Sequence, residues 1–221
     1  MISLVLEAST YAGSVALIDG ARVLGERSVA MRGKEHEALM SAVGLLLDEC
    51  DMRPGAIGRV ICGAGPGSFT SLRIASAIAK GLCAASGAPL VPISSLALLV
   101  GVVPLHASGR YLATMDAMRG ESYVQEFEID AAGRISASGP QVVMSTAAVD
   151  QIATDRNAMA VGPAHSGAAH AVPHARAAVV ITNLIEAASP ADLAAWEPLY
   201  GRLAEAQVKW EADHGRALGV V

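Results

Sequence analysis

Gly65-Pro66-Gly67-Ser68-Phe69-Thr70-Ser71-Leu72-Arg73 joins an apolar, strand-like run, Val60-Ile61-Cys62, to a helical pattern that continues to Ser86. Glycines at such a junction permit backbone angles that other residues avoid, and they let another molecule approach the main chain. A hydroxyl residue is expected to cap the helix, leaving its first amide hydrogens free to meet an anion or a partner. Short glycine turns precede helices in many folds, so this one gains meaning from what comes before it. Two apolar runs, residues 2–7 and 14–19, flank the hydroxyl-bearing turn Ala8-Ser9-Thr10-Tyr11-Ala12-Gly13. Asp19-Gly20 is a hairpin signal, and residues 23–29 alternate as a third strand does. The opening therefore reads as an antiparallel meander of three strands.

Residues 34–50 change to a helical pattern, with Leu39, Val43, Leu46 and Cys50 on one face. Ala38, Met40, Ala42, Leu45 and Leu47 extend the apolar surface well beyond that stripe. Two readings stay open: a helix buried wholly within its own chain, or one with a second face for a partner. Residues 59–63 supply a fourth strand, followed by the glycine turn and a second long helix. Small residues line that helix (Ala75, Ser76, Ala77, Ala79, Gly81, Ala84, Ala85) and permit close helix approach. Residues 88–93 form a fifth strand, and Ser94-Ser95 opens a short helix. These elements make one α/β lobe, residues 1–100.

A smaller C-terminal lobe, residues 101–221, follows a linker at 101–109. Strands at 111–117 and 121–129 join through Met118-Arg119-Gly120, and Ala132-Gly133 marks a turn. A short strand at 158–161 and a helix including 184–188 come next. Residues 196–210 fit helix and extended chain alike.

Composition bounds the function. The 221 residues are 52% hydrophobic and 17% charged, which suits a compact globular protein. A net charge of −5 gives no electrostatic reason to bind nucleic acid unaided, and 4% aromatic residues leave few platforms for stacking bases. Cys50, Cys62 and Cys83 form no C-x-x-C pair and sit in apolar patterns, as small buried hydrophobes in a reducing compartment do. The first residues carry no basic region like that of a signal peptide, and no apolar run spans a bilayer. A cytoplasmic protein without membrane contact is the expectation.

Strand-turn-strand with Ser/Thr in the turn, then strand, helix, strand and helix, resembles the actin, sugar kinase and chaperone ATPase superfamily. The implied fold is ribonuclease H-like, with two lobes of mixed sheets flanked by helices. More specifically the chain resembles the bacterial accessory family of tRNA threonylcarbamoyladenosine biosynthesis, TsaB (formerly YeaZ), also filed as glycoprotease-like. Four stretches carry the likeness: Leu4-Val5-Leu6-Glu7-Ala8-Ser9-Thr10 with Ser14-Val15-Ala16-Leu17; Lys34-Glu35-His36; Gly63 through Ile74 with Ala79-Lys80-Gly81-Leu82; and Asp116-Ala117-Met118-Arg119-Gly120-Glu121-Ser122-Tyr123. Glu197-Pro198-Leu199-Tyr200 is a weaker echo of the family's C-terminal Pro-x-Tyr. Two positions depart from it. Glu7 stands where the family usually has Asp, and Ser71 where it has glycine after Ser-Phe-Thr.

The resemblance implies a non-catalytic scaffold, inactive alone, in the complex that transfers threonylcarbamoyl to adenosine 37 of tRNA. Its implied partners are the catalytic paralogue (TsaD), an ATPase subunit (TsaE), and tRNA through the complex only; alone, it is expected to form a homodimer. The expected interface residues are His36, Leu39, Met40, Val43, Leu47, Phe69, Thr70, Arg73 and Ala77. No tightly bound cofactor is implied, with ATP or ADP and Mg²⁺ reserved for a shared interface. The superfamily's nucleotide site maps onto Glu7, Ser9, Thr10, Gly65, Gly67 and Ser68. There, amides and hydroxyls suit a phosphate and a carboxylate suits hydrated Mg²⁺; Ser9 and Thr10 equally suit plain turn hydrogen bonds. The competing class is a small ATP-binding phosphotransferase or ATPase.

A metal-dependent glycoprotease is disfavoured. The paralogue's His-x-x-x-His metal site falls on Ser95 and Leu99, neither of which replaces an imidazole ligand. His170-Ala171-Val172-Pro173-His174 has the right letters, but Pro173 breaks the helical turn such ligands need. A solvated loop is expected there. No Ser/His/Asp or Cys/His set assembles, no Gly-Lys-Ser/Thr follows the glycines, and no metal-ligand set or catalytic residue is assigned.

Overall fold

The computed structural model describes residues 1–31, 38–103, 107–165, 169–200 and 213–215. Its first sheet is built from β1 (Ile2–Glu7), β2 (Ala12–Asp19), β3 (Arg22–Ala30), β4 (Arg59–Gly63) and β5 (Leu90–Ile93), in the order β3-β2-β1-β4-β5. The β1–β2 and β2–β3 pairs are antiparallel; β1–β4 and β4–β5 are parallel. The meander expected from Asp19-Gly20 and the strand-helix-strand run that follows are therefore both present.

The central strands β1 and β4 are mostly apolar because both of their faces are covered. Leu4 and Leu6 point toward α1 (Ala38–Glu49) and α2 (Phe69–Ser86), while Val5 between them points to the other side. Leu17 repeats the first direction on β2, and Ala16 and Ile18 the second. The second face meets α3 (Ser95–Val100), all six of whose residues are buried. That explains why α3 carries no polar stripe: it is sandwiched between the two sheets.

The second sheet contains β6 (Gly109–Asp116), β7 (Glu121–Ile129), β8 (Ile135–Ala137) and β10 (Ala158–Val161) in the order β10-β6-β7-β8, with β9 (Val142–Ser145) also paired to β7. The sequence reading missed β8, β9 and α4 (Thr146–Asp155). Their strands are three and four residues long and their exposed positions blur the alternation. Met118 and Arg119 turn the β6–β7 hairpin with φ of 65° and 57°, and the Asp116 carboxylate accepts from the Met118 amide at 2.7 Å. Two successive left-handed residues match the right-handed twist of the strands they connect.

After β10 the chain crosses back to the first sheet. A 3-10 turn, Ala175–Val179, packs beneath β1, β2 and β3, and α5 (Thr182–Ala187) follows it. The Ala191 amide then donates to Leu90 O at 2.8 Å and the Leu199 amide to Ala64 O at 2.7 Å. The 170–174 segment is no solvated loop: Ala171 and Pro173 are buried. Pro173 does exclude a helix there, but the sheet face still needs covering, and this segment covers it. Residues 196–200 form neither helix nor strand; the remainder of the ambiguous tail, to 210, lies outside the described residues. Among the described residues no helix is long and apolar enough to cross a membrane.

Candidate functional site

The carboxyl end of β1, the turn after it, the glycine turn after β4 and the start of α3 converge on Glu7. Its carboxylate is wholly buried. One oxygen accepts from the Ser9 amide at 2.6 Å and the other from the Ser95 hydroxyl at 2.8 Å. Ser95 Oγ in turn accepts from the Gly65 amide at 3.2 Å. Burial pushes the Glu7 carboxyl above its ordinary range, and the hydrogen bonds from Ser9 and Ser95 pull it back only in part.

Two glycines make this arrangement possible. At Gly63 a Cβ would fall on the Glu7 carboxylate, so only glycine leaves the acid its place. Gly65 has φ of 87°, and a Cβ there would meet the Leu199 carbonyl. A further bond, from the Ser68 amide to Ser9 O at 2.7 Å, ties the glycine turn to the first hairpin. All six residues expected at a nucleotide site, Glu7, Ser9, Thr10, Gly65, Gly67 and Ser68, thus lie on these two linked turns.

Their groups are turned to one another. The Thr10 hydroxyl donates to Ala12 O at 3.1 Å, closing its own turn. Ser9 Oγ and Ser94 Oγ are buried without a hydrogen-bond partner among the described residues. Ser68 stands at the N-cap position of α2 but makes no side-chain cap bond, contrary to expectation. Its Oγ instead accepts from the Ser71 hydroxyl at 3.0 Å. Ser71, one of the two departures from the family pattern, is thereby accounted for: it is buried and holds Ser68.

The second candidate feature is the outer face of α1 and α2. Leu39, Val43 and Leu47, expected to meet a partner, are instead buried in the chain's own core beneath the helix. The correction follows from the sheet: its helix-facing surface needs these side chains as filling. What α1 does expose is Met40 and Leu45, at 47% and 51%, beside Ser41 and Gly44. On α2 Thr70, Arg73 and Ala77 are exposed, with Gly81, Ala84 and Ala85 further along. The reading of α1 as a helix buried wholly within its own chain is overturned: it has one buried face and one apolar exposed face. His36 lies outside the described residues.

Phe69, also expected on this face, is half-buried and stacks against Tyr200 at 4.6 Å between ring centroids. The Arg73 guanidinium sits 5.2 Å over the same ring. Tyr200 donates to Glu197 at 2.8 Å, and Lys80 donates to the other Glu197 oxygen at 3.1 Å. Residues 196–200 therefore run along α2, an association that the Glu197-Pro198-Leu199-Tyr200 echo signalled only as a motif.

The positions compared with a histidine metal site are occupied differently. Ser95 bonds Glu7, and Leu99 is fully buried in the core between the sheets. His170 and His174 serve separate neighbours, the His165 carbonyl and the Ser28 hydroxyl. No group of three or more metal-ligating side chains gathers among the described residues. Cys62 and Cys83 are buried free thiols, both pushed up by burial, as expected of packing residues.

With this geometry in hand, a family model described as TsaD: tRNA N6-adenosine threonylcarbamoyltransferase matches residues 31–195. The chain belongs to this family. It is 32% identical over 123 residues to the tRNA threonylcarbamoyladenosine biosynthesis protein TsaB of Bacillus subtilis, covering 56% of this chain and 53% of that one. It is 32% identical over 132 residues to the TsaB protein of Escherichia coli, covering 59% and 56%. The chain spans about half the length of the curated relatives it matches. YeaZ from Pseudomonas aeruginosa superposes with a TM-score of 0.73 at 23% identity, over 90% of this chain and 99% of that one. The resemblance to TsaB proteins is borne out in sequence, and the two-sheet α/β fold in structure.

Proposed function

We propose that this TsaD-family chain is a non-catalytic scaffold subunit of the assembly that transfers threonylcarbamoyl to adenosine 37 of tRNA. The observation that carries this reading is the fate of the two positions compared with the transferase's metal-binding histidines. Ser95 and Leu99 are both wholly buried, one committed to Glu7 and the other to the core. Neither presents a ligand to solvent or substrate.

The outer α1–α2 face supports the docking part of the proposal. Met40 and Leu45 offer apolar anchors, and Ala77 and Gly81 allow close backbone approach. The catalytic paralogue (TsaD) docks on this face, an ATPase subunit (TsaE) joins the pair, and tRNA is reached through the assembly. Without the paralogue the same face pairs two copies of this chain. ATP or ADP with Mg²⁺ binds, on this reading, only where subunits meet, because the Glu7 carboxylate is fully engaged within its own chain.

Light scattering on an equimolar mixture with the paralogue tests the proposal. A heterodimer mass is expected, and tRNA modification that requires both chains. Two species that never combine, or turnover by this chain alone, refute it.

A further inference from the structure

His174 joins the segment leaving the second sheet to β3 of the first. Its half-buried ring has two engaged nitrogens. Nδ1 accepts from the Arg176 amide at 3.1 Å, capping the 3-10 turn Ala175–Val179. Nε2 lies 3.1 Å from Ser28 Oγ, on a strand 146 residues earlier. The neighbouring Ala175 amide donates to the buried Ser14 Oγ at 2.9 Å, so capping residue and turn dock together on β2 and β3.

The chemistry of the ring allows one protonation state here. An amide hydrogen points at Nδ1, so Nδ1 carries a lone pair and the ring proton sits on Nε2, donating to Ser28. A second proton has only Nδ1 to occupy, where it faces the Arg176 N–H. The imidazolium therefore loses the cap and must turn its ring away. We propose that His174 is a proton-sensitive clasp between the 3-10 turn and the first sheet, closed as the neutral Nε2–H tautomer and opened by protonation.

The ionisable surroundings are few. Glu26 on β3 favours the cation and Arg176 opposes it, but these two also pair with each other at 3.5 Å. Burial opposes the cation more than either charge acts, and the ring is held below its ordinary range. The other charged groups on the elements packed around the turn are engaged elsewhere or remote. Glu7 on β1 bonds Ser9 and Ser95, Asp19 on β2 pairs with the Met1 amine, and Arg27 on β3 bonds Glu49. Arg22 lies about 20 Å along β3 from Ser28, α3 carries no ionisable group, and Glu186 on α5 pairs with Arg59.

Nitrogen-detected NMR of the ring, combined with amide exchange across the acidic range, tests the clasp. The expected results are an Nε2–H tautomer and a His174 midpoint below the free value of about 6.5. Protection of the Ala175 and Arg176 amides, corrected for intrinsic exchange, should fall about tenfold or more across that midpoint. His174→Asn keeps a capping acceptor without a titrating group and should abolish the step. An Nδ1–H tautomer, a midpoint at or above about 6.5, or a step that survives in His174→Asn overturns the proposal. Should that variant not fold, the native tautomer, midpoint and protection step decide alone.

Discussion

The Glu7 carboxylate and the Ser95 hydroxyl, 88 residues apart in sequence, meet at 2.8 Å inside the protein. The contact fastens the end of β1 to the start of α3. Through Gly65 it also fastens the glycine turn that launches α2. Glu7 thus acts as an internal tie, both of its carboxylate oxygens engaged by its own chain.

That tie makes stability depend on pH. The Glu7 carboxyl is raised above the ordinary glutamate value of 4.5, so the folded chain holds its proton more tightly than the unfolded one. The sign is then fixed: its contribution is fully present below 4.5 and is lost as pH rises through the raised folded value. Urea denaturation from acid toward neutral pH should show this decline, and Glu7→Gln should flatten it. Glu7→Ala, which strands the Ser9 amide and the Ser95 hydroxyl, should cost about 3 kcal/mol.

Gly65→Ala should be costly for two separate reasons. Its φ of 87° is unfavourable for alanine, and the new methyl meets the Leu199 carbonyl. A loss of about 3 kcal/mol in chemical denaturation is expected. Gly81→Ala on the same side of the sheet, where a Cβ meets nothing, should be neutral or stabilising, by up to about 1 kcal/mol.

Leu45 and Leu46 are neighbours with opposite fates. Leu45 is half-exposed on the outer face of α1, whereas Leu46 is buried in the core. Leu45→Asp should shift folding stability by no more than about 0.5 kcal/mol while abolishing association with the paralogue in light scattering. Leu46→Asp should unfold the chain, because it places an unpaired carboxylate among apolar side chains.

Met118 holds a left-handed conformation with an exposed side chain, so it contributes strain without much burial. Met118→Asn keeps the hairpin geometry with a residue that tolerates it. Thermal denaturation should register a gain of about 0.5 to 1 kcal/mol.

Much of the first sheet was legible in the chain itself. Ile2–Glu7, Arg59–Gly63 and Phe69–Ser86 form where the apolar runs and the glycine turn place them, because strand period and helix period are local signals. β8 and β9 were not legible, since strands of three and four residues carry too little pattern. The candidate site was half readable. Glu7, Ser9, Gly65 and Ser68 are legible as site residues, but Ser95 reads only as the opening of a short helix and a missing ligand, and Ser71 only as a departure from glycine.

Local order alone determined the order of elements in the first lobe, the α/β class and the family likeness, since each rests on residues close together in the chain. Which side of α1 faces inward, what Glu7 touches, and where residues 174 and 199 dock were decided by tertiary structure. Those contacts join positions dozens to more than a hundred residues apart. Burial and hydrogen bonding over such separations depend on how the sheets stack, and no periodicity in the chain encodes that.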